Sequence, residues 1–309
     1  NIVSAQSGIV PPPGAVVTGS QAATLSGTSM AAPHVAGLVA LLRQLHPSYT
    51  VEEIKALAMN GALHDLYTGA QQTGNRHSAS RIGAGRIDAV ASGDLAFVAY
   101  ADDAAGIVTL SFPSQIGPGP TSVTRKLRMT NKSAGAITLT PSISMLLANP
   151  GITFSVSPAP VNIAAGGSAT IDVTMDGDPD ASINNVDPTI TALQTISLNG
   201  GDYPRFWLGE ASGYVELDDG GGVKARVPLF VAPFASGDVA TDAYIQTGGA
   251  ASGTSTLNVG GTPVCTGIAF GSPATDCIPS APQGDAISML LPFELVAERT
   301  RNLSIPATA

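Results

Sequence analysis

The chain has 309 residues, room for roughly two domains, and is 44% hydrophobic but only 12% charged, with 35 glycines and 23 prolines. Its net charge of −9 comes without a basic stripe, which argues against a nucleic-acid partner. No run approaches the ~20 apolar residues of a membrane-spanning helix, and the composition favours turn-rich β structure over a helical bundle.

Ile2-Val3 reads as a short strand, Pro11-Pro12-Pro13-Gly14 as a loop, and residues 15–24 as small and polar. The stretch Leu25 to Gly37 carries the chemistry. Gly27 permits a tight turn and close backbone approach, and Thr28 and Ser29 stand where a helix N-terminus takes hydroxyls. A helix from about Ala31 to His46 follows, with Val35, Leu38, Val39, Leu42 and Leu45 at helical spacing. Ala36, Gly37, Ala40 and Leu41 make its other side apolar too, so burial on all sides is expected. Pro33 is expected in the first turn, where its missing N–H costs little. Ser29 would then lie at the positive end of the helix dipole, which favours negative charge on a bound carbonyl oxygen.

The run Gly27-Thr28-Ser29-Met30-Ala31-Ala32-Pro33-His34-Val35-Ala36-Gly37 resembles the active-site serine motif of the subtilases, the subtilisin-like serine proteases. The resemblance implies that Ser29 is the acylating nucleophile. It also implies that the N–H of Ser29 is an oxyanion donor, and that an Asp, a His and an oxyanion Asn lie earlier in the polypeptide. Thr28 is a candidate to shape the oxyanion environment. Read without the resemblance, Ser29 is a helix-capping serine and Thr28 a hydroxyl satisfying an orphan amide. The 28 residues before Ser29 hold no Asp-Ser/Thr-Gly and no His-Gly-Thr-His segment. The expectation is therefore a piece of a protease domain, inactive by itself. His34 lies more than one helical turn beyond Ser29, badly placed to take its proton, and is read as the motif's structural histidine, in or near the core and bonded to a neighbour. His46, His64 and His77 read as surface residues, and neither Asn1 nor Asn60 has a motif marking it as the second oxyanion donor.

His46-Pro47 ends the first helix. Thr50 and Glu53 form a capping box that starts a second, from about Val51 to Gly61, with Ile54, Leu57 and Ala58 on one face. A polar loop at 71–80 leads to Arg81-Ile82-Gly83-Ala84-Gly85-Arg86-Ile87-Asp88-Ala89-Val90, which resembles the segment closing subtilase catalytic domains. Residues 1–95 thus look like the C-terminal part of such a domain.

Beyond Asp94 the period changes to two. Leu127 and Met129, Ile137 and Leu139, Phe154 and Val156, Val161 and Ile163, and Ile171, Val173 and Met175 alternate with polar residues. Val215 and Leu217 pair with Ala225, Val227 and Leu229 across Asp219-Gly220-Gly221-Gly222. About seven short strands describe a β-sandwich, interrupted by a polar insertion from Asp178 to Asp202. Ala211-Ser212-Gly213-Tyr214-Val215 and Ala225-Arg226-Val227-Pro228-Leu229 resemble the fibronectin type III-like domain that follows large subtilase catalytic domains. Residues 236–309 read as a further β-rich module. There Cys265 and Cys277 are expected to close a disulfide loop if the protein is exported, the alternative being two thiols. Asp176, Asp178, Asp180 and Asp187 have spacing similar to a calcium loop, but Ala181 replaces the needed glycine and no helices flank it; an acidic turn competes with that reading.

The expected fold class is α/β for 1–95, followed by all-β sandwich for 96–235 and more β structure after it. The expected function is that of a secreted or cell-surface-associated serine endopeptidase acting on protein or peptide substrates, with no nucleic-acid partner, no membrane span and no required cofactor, calcium being the one metal the aspartates suggest. Two alternatives are a non-catalytic surface or adhesion protein built on a degenerate protease domain, and a spacer role for residues 96–309. Taken alone, the chain is expected to expose the face around Val35, Leu38 and Leu42.

Overall fold

The structure, a computed structural model, describes residues 2–5, 16–17, 22–117, 119–179, 181–183, 185, 187–189, 195–198, 201–204, 209–235, 240–241 and 259–260. Strands β1 (Ile2–Ala5), β2 (Val16–Val17) and β3 (Ala22–Leu25) form an antiparallel sheet in the order β1-β3-β2. The segment at 15–24 that read as small and polar therefore contains two strands. Helix α1 (Thr28–Leu45) begins three residues earlier than its periodicity suggested. Helix α2 (Val51–Asn60) has the complete capping box: the Thr50 hydroxyl accepts from the Glu53 N–H at 3.2 Å, and the Glu53 carboxylate accepts from the Thr50 N–H at 3.0 Å. A 3-10 turn (Ala70–Gln72), helix α3 (Ala79–Ile82) and helix α4 (Ala89–Gly93) follow, α4 capped by the Asp88 carboxylate.

Two sheets make up most of the remaining described residues. Strands β4 (Phe97–Ala101), β5 (Leu110–Ser111), β6 (Gln115–Ile116), β7 (Thr121–Asn131), β8 (Ile137–Leu147), β9 (Ile152–Ser157), β10 (Val161–Ile163) and β11 (Ser168–Gly177) lead to the hairpin β12 (Thr195–Leu198) and β13 (Gly201–Pro204). Then come β14 (Ala211–Asp218), β15 (Val223–Val231) and the short β16 (Phe234–Ala235), β17 (Ala240–Thr241) and β18 (Val259–Gly260). One sheet runs β10-β8-β14-β15-β5 and the other β4-β7-β11-β9. Every pairing in them is antiparallel except β15 with β5. The period-two pattern places Leu127 and Met129 of β7, Ile171, Val173 and Met175 of β11, Leu139 of β8, Val215 and Leu217 of β14, and Val227 and Leu229 of β15 in one buried cluster. The register of β14 on β15 is the expected one, with Val215 opposite Val227 and Leu217 opposite Ala225.

Strand β4, just beyond the boundary expected at residue 95, connects the two parts. Its Phe97, Ala99 and Ala101 join the two-sheet core together with Met59 of α2. Val98, on the other face, packs with Leu38 and Leu42 of α1 and with Ile54, Ala56 and Leu57 of α2. Alternation along one strand thus gives each side of β4 to a different cluster. Cys265, Cys277 and nearly all of residues 236–309 lie outside the described residues.

Candidate active site

Helix α1 presents Ser29. Gly27 precedes the helix with φ 147°, a backbone conformation that favours glycine. Its carbonyl accepts from the N–H groups of Met30 and Ala31, each at 3.1 Å. Thr28 and Ser29 are the first two helical residues, not capping residues, and Gly27 offers no side chain to cap the helix. Among the described residues the N–H groups of Thr28 and Ser29 meet no acceptor, and both side chains are exposed. An 18-residue helix therefore directs two open amide donors and its partial positive charge at the space beside Ser29.

Two expectations about α1 are corrected. Pro33 stands in the helix interior, because the helix begins at Thr28; lacking an N–H, it leaves the Ser29 carbonyl without its usual donor four residues on. Nor is α1 buried all round. Leu38 and Leu42 pack against α2 and β4, but Val35 is 41%, Leu41 58% and Leu45 59% exposed. The physical reason is that α2 and β4 cover one stripe of a cylinder whose other stripes are apolar as well. Of the three residues expected on an open face, Val35 is exposed while Leu38 and Leu42 are buried. Beside the helix runs an open groove of about 470 Å³, lined by Pro33, His34, Gly37, Leu38, Leu41, Ile87 and Ala89.

His34 is not in or near the core as expected but exposed, because no described element packs over that side of α1; its Nδ1 donates to the Met30 carbonyl at 2.8 Å, so the ring is tied to its own helix. His46 is half-buried with Nε2 3.2 Å from the Gly93 carbonyl, and His77 is half-buried with Nδ1 2.8 Å from Thr189 Oγ1. His64 departs furthest from its reading as a surface residue. It is 4% exposed, donates Nε2–H to the Met59 carbonyl at 3.1 Å, and meets the edge of the Tyr214 ring at 4.9 Å between centroids. Burial, then the neighbouring Arg226, lowers its pKa to about 4. Burial also pushes the Tyr214 phenol up to about 12.

Asn60 is the second residue that local pattern undervalued. It is 1% exposed. Its Oδ1 accepts from the Ala99 N–H at 2.9 Å, and its Nδ2 donates to the carbonyls of Ala99 at 3.0 Å and Arg226 at 3.2 Å. The side chain thus serves as one more strand residue on the outer edge of β4. At the other end of α2, Glu53 accepts from Lys132 at 2.6 Å, and the Lys132 ammonium lies 4.3 Å from the Tyr49 ring centroid. These contacts fix α2, and through Leu38 and Leu42 they fix α1.

The Gly83-Ala84-Gly85 segment acquires a steric reason. Leu63 and Arg86 exchange backbone hydrogen bonds at 2.8 and 3.0 Å. A Cβ on Gly85, at φ 111°, would lie 2.2 Å from the Leu63 carbonyl oxygen. Of the four aspartates with calcium-loop spacing, Asp180 lies outside the described residues. Asp187 is fully buried and accepts from the N–H groups of Ser78 and Thr189, each at 2.7 Å. Burial pushes its carboxyl up, and those hydrogen bonds outweigh it and hold the pKa below the ordinary value. Among the described residues no group of three or more His, Cys, Asp or Glu is placed to hold a metal ion. Likewise, no described helix is long and apolar enough to cross a membrane.

Residues 10–85 match the model of the subtilase family. Similar curated proteins are proteases, several of them named as subtilisin-like. SBT1.9 of Arabidopsis thaliana is 56% identical over 39 residues, 13% of this chain and 5% of that protein. The minor extracellular protease Vpr of Bacillus subtilis is 57% identical over 37 residues, 12% of this chain and 5% of that protein. SBT2.3 of Arabidopsis thaliana is 37% identical over 87 residues, 25% of this chain and 10% of that protein. The matches thus span at most a tenth of the length of these relatives.

Proposed function

We propose that the chain is part of a subtilisin-like serine endopeptidase and that Ser29 is its nucleophile. The observation that carries this reading is the serine motif at the start of α1, with Ser29 exposed beside two open amide donors. In the proposed reaction Ser29 Oγ attacks a peptide carbonyl carbon while a histidine supplied from elsewhere in the parent polypeptide takes the Oγ proton, itself oriented by an aspartate. The carbonyl oxygen becomes an oxyanion facing the Ser29 N–H and the helix N-terminus, with Thr28 beside it. Collapse expels the amine, which receives the proton from the histidine, and leaves an acyl ester on Ser29 that water hydrolyses.

None of the four histidines is assigned the base. His34 is tied to Met30, and His46, His64 and His77 hold contacts of their own. We read residues 96–235, with their two sheets around one core, as the fibronectin type III-like sandwich, residues 236–309 as a further β-rich module, and the parent protein as exported. The test is fluorophosphonate labelling of the full-length polypeptide. Label is expected on Ser29 and lost in Ser29→Ala, and absence of label on Ser29 in the complete protein overturns the assignment. The 309-residue chain alone is expected to hydrolyse no peptide, because a triad serine without its base loses nearly all of its rate advantage.

A further inference from the structure

The seam between the helical segment and the β14–β15 pair contains a cluster of ionisable groups that the proposed reaction does not use. From the helical side come His64, Asp65 and Arg76; from the sheet side come Tyr214, Glu216 and Arg226. Arg76 and Arg226 both pair with Asp65, Arg226 at 3.2 Å, and the Nε of Arg226 donates to Glu216 at 2.7 Å. Two guanidinium groups are therefore matched by two carboxylates. His64 sits against this balanced set, 4% exposed, with the Tyr214 ring on one side and the Met59 carbonyl on the other. Gly85, in the turn at 83–86, lies against the backbone of Leu63 and His64. Because a carbonyl can only accept, Nε2 carries the His64 proton and Nδ1 is the site for a second. Among the described residues no hydrogen bond reaches Nδ1, so a proton there adds one uncompensated positive charge to a set whose two guanidinium groups and two carboxylates already balance.

We infer that this seam is an acid-sensitive latch: protonation of His64 favours release of residues 51–94, and with them the anchorage of α1, from the β14–β15 pair. The inference is independent of whether Ser29 is a nucleophile. The sign follows from linkage. The latched histidine has a pKa of about 4, against an ordinary value of 6.5 when released, so the released form binds the extra proton. Latching is at full strength above pH 6.5, weakens as pH falls through the window, and by pH 4 and below has lost up to about 300-fold in its equilibrium constant, the ratio that a displacement of about 2.5 pH units sets.

The test is hydrogen exchange of the whole chain between pH 4 and 7, corrected for intrinsic exchange rates and followed in peptides covering 51–94 and 211–231. In the wild type, protection across the seam is expected to fall by about two orders of magnitude over this window. In His64→Gln, which keeps a donor for the Met59 carbonyl but does not titrate, most of that pH dependence is expected to vanish. Equal pH dependence in wild type and His64→Gln overturns the inference. A second measurement does not depend on the variant's folding. Proton NMR of the wild-type imidazoles is expected to show one histidine titrating near pH 4 together with the opening of the seam; a buried histidine titrating near 6.5 without any change in exchange refutes the latch.

Discussion

Replacing Asn60 with alanine tests whether a single buried amide holds the serine-bearing helices to the sheets. The substitution removes an acceptor 2.9 Å from the Ala99 N–H and a donor 3.0 and 3.2 Å from the carbonyls of Ala99 and Arg226. Ala99 is fully buried, so its N–H has no water to turn to. An orphaned buried donor costs about 1–3 kcal/mol, and the two carbonyls, each with a second lone pair, add less. The sum is about 2–4 kcal/mol. For a unit of this size 1 kcal/mol moves the melting temperature by roughly 2–4 °C, so a drop of roughly 5–15 °C is expected. Calorimetry measures the drop, and exchange of the Ala99 amide localises it. Asn162 provides the control: it is an exposed asparagine on β10, and Asn162→Ala is expected to stay within about 0.5 kcal/mol of wild type. If Asn60→Ala melts with the control and the Ala99 amide stays protected, the edge-pairing role is refuted.

Gly85→Ala puts a methyl 2.2 Å from the Leu63 carbonyl at φ 111°, and is expected to cost roughly 2–4 kcal/mol in a thermal melt; a stability equal to wild type would show that the 63–86 bridge yields freely. The uncovered side of α1 is expected to bind a hydrophobic dye, and Leu41→Gln with Leu45→Gln to reduce that fluorescence with little change in melting temperature, because both leucines are more than half exposed. Unchanged fluorescence would place the dye site elsewhere.

What could be read from the chain alone was local. Thr50 and Glu53 are three residues apart and satisfy each other's backbone, so the start of α2 is written in four consecutive letters. The alternation in β7, β11, β14 and β15 fixes which side chains face inward, because successive residues of a strand point to opposite faces. The β14–β15 register follows from the glycine turn between them. The serine motif is equally local, and so is its position at the head of a helix.

What tertiary structure decided was every feature whose partner lies far along the chain. His64 reads as a surface residue because nothing near it in sequence announces Tyr214 and Arg226; burial beside them, and then the Arg226 charge, lowers its pKa. Asn60 lacked a motif because its partners are backbone groups of Ala99 and Arg226, and backbone carries no sequence signature. An apolar pattern right around α1 states that burial would be favourable on every side. It does not state which neighbours exist to provide it, and α2 with β4 provides one side. Periodicity is a property of the chain, whereas burial is a property of what the fold brings against it, and that difference separates the legible half of this protein from the rest.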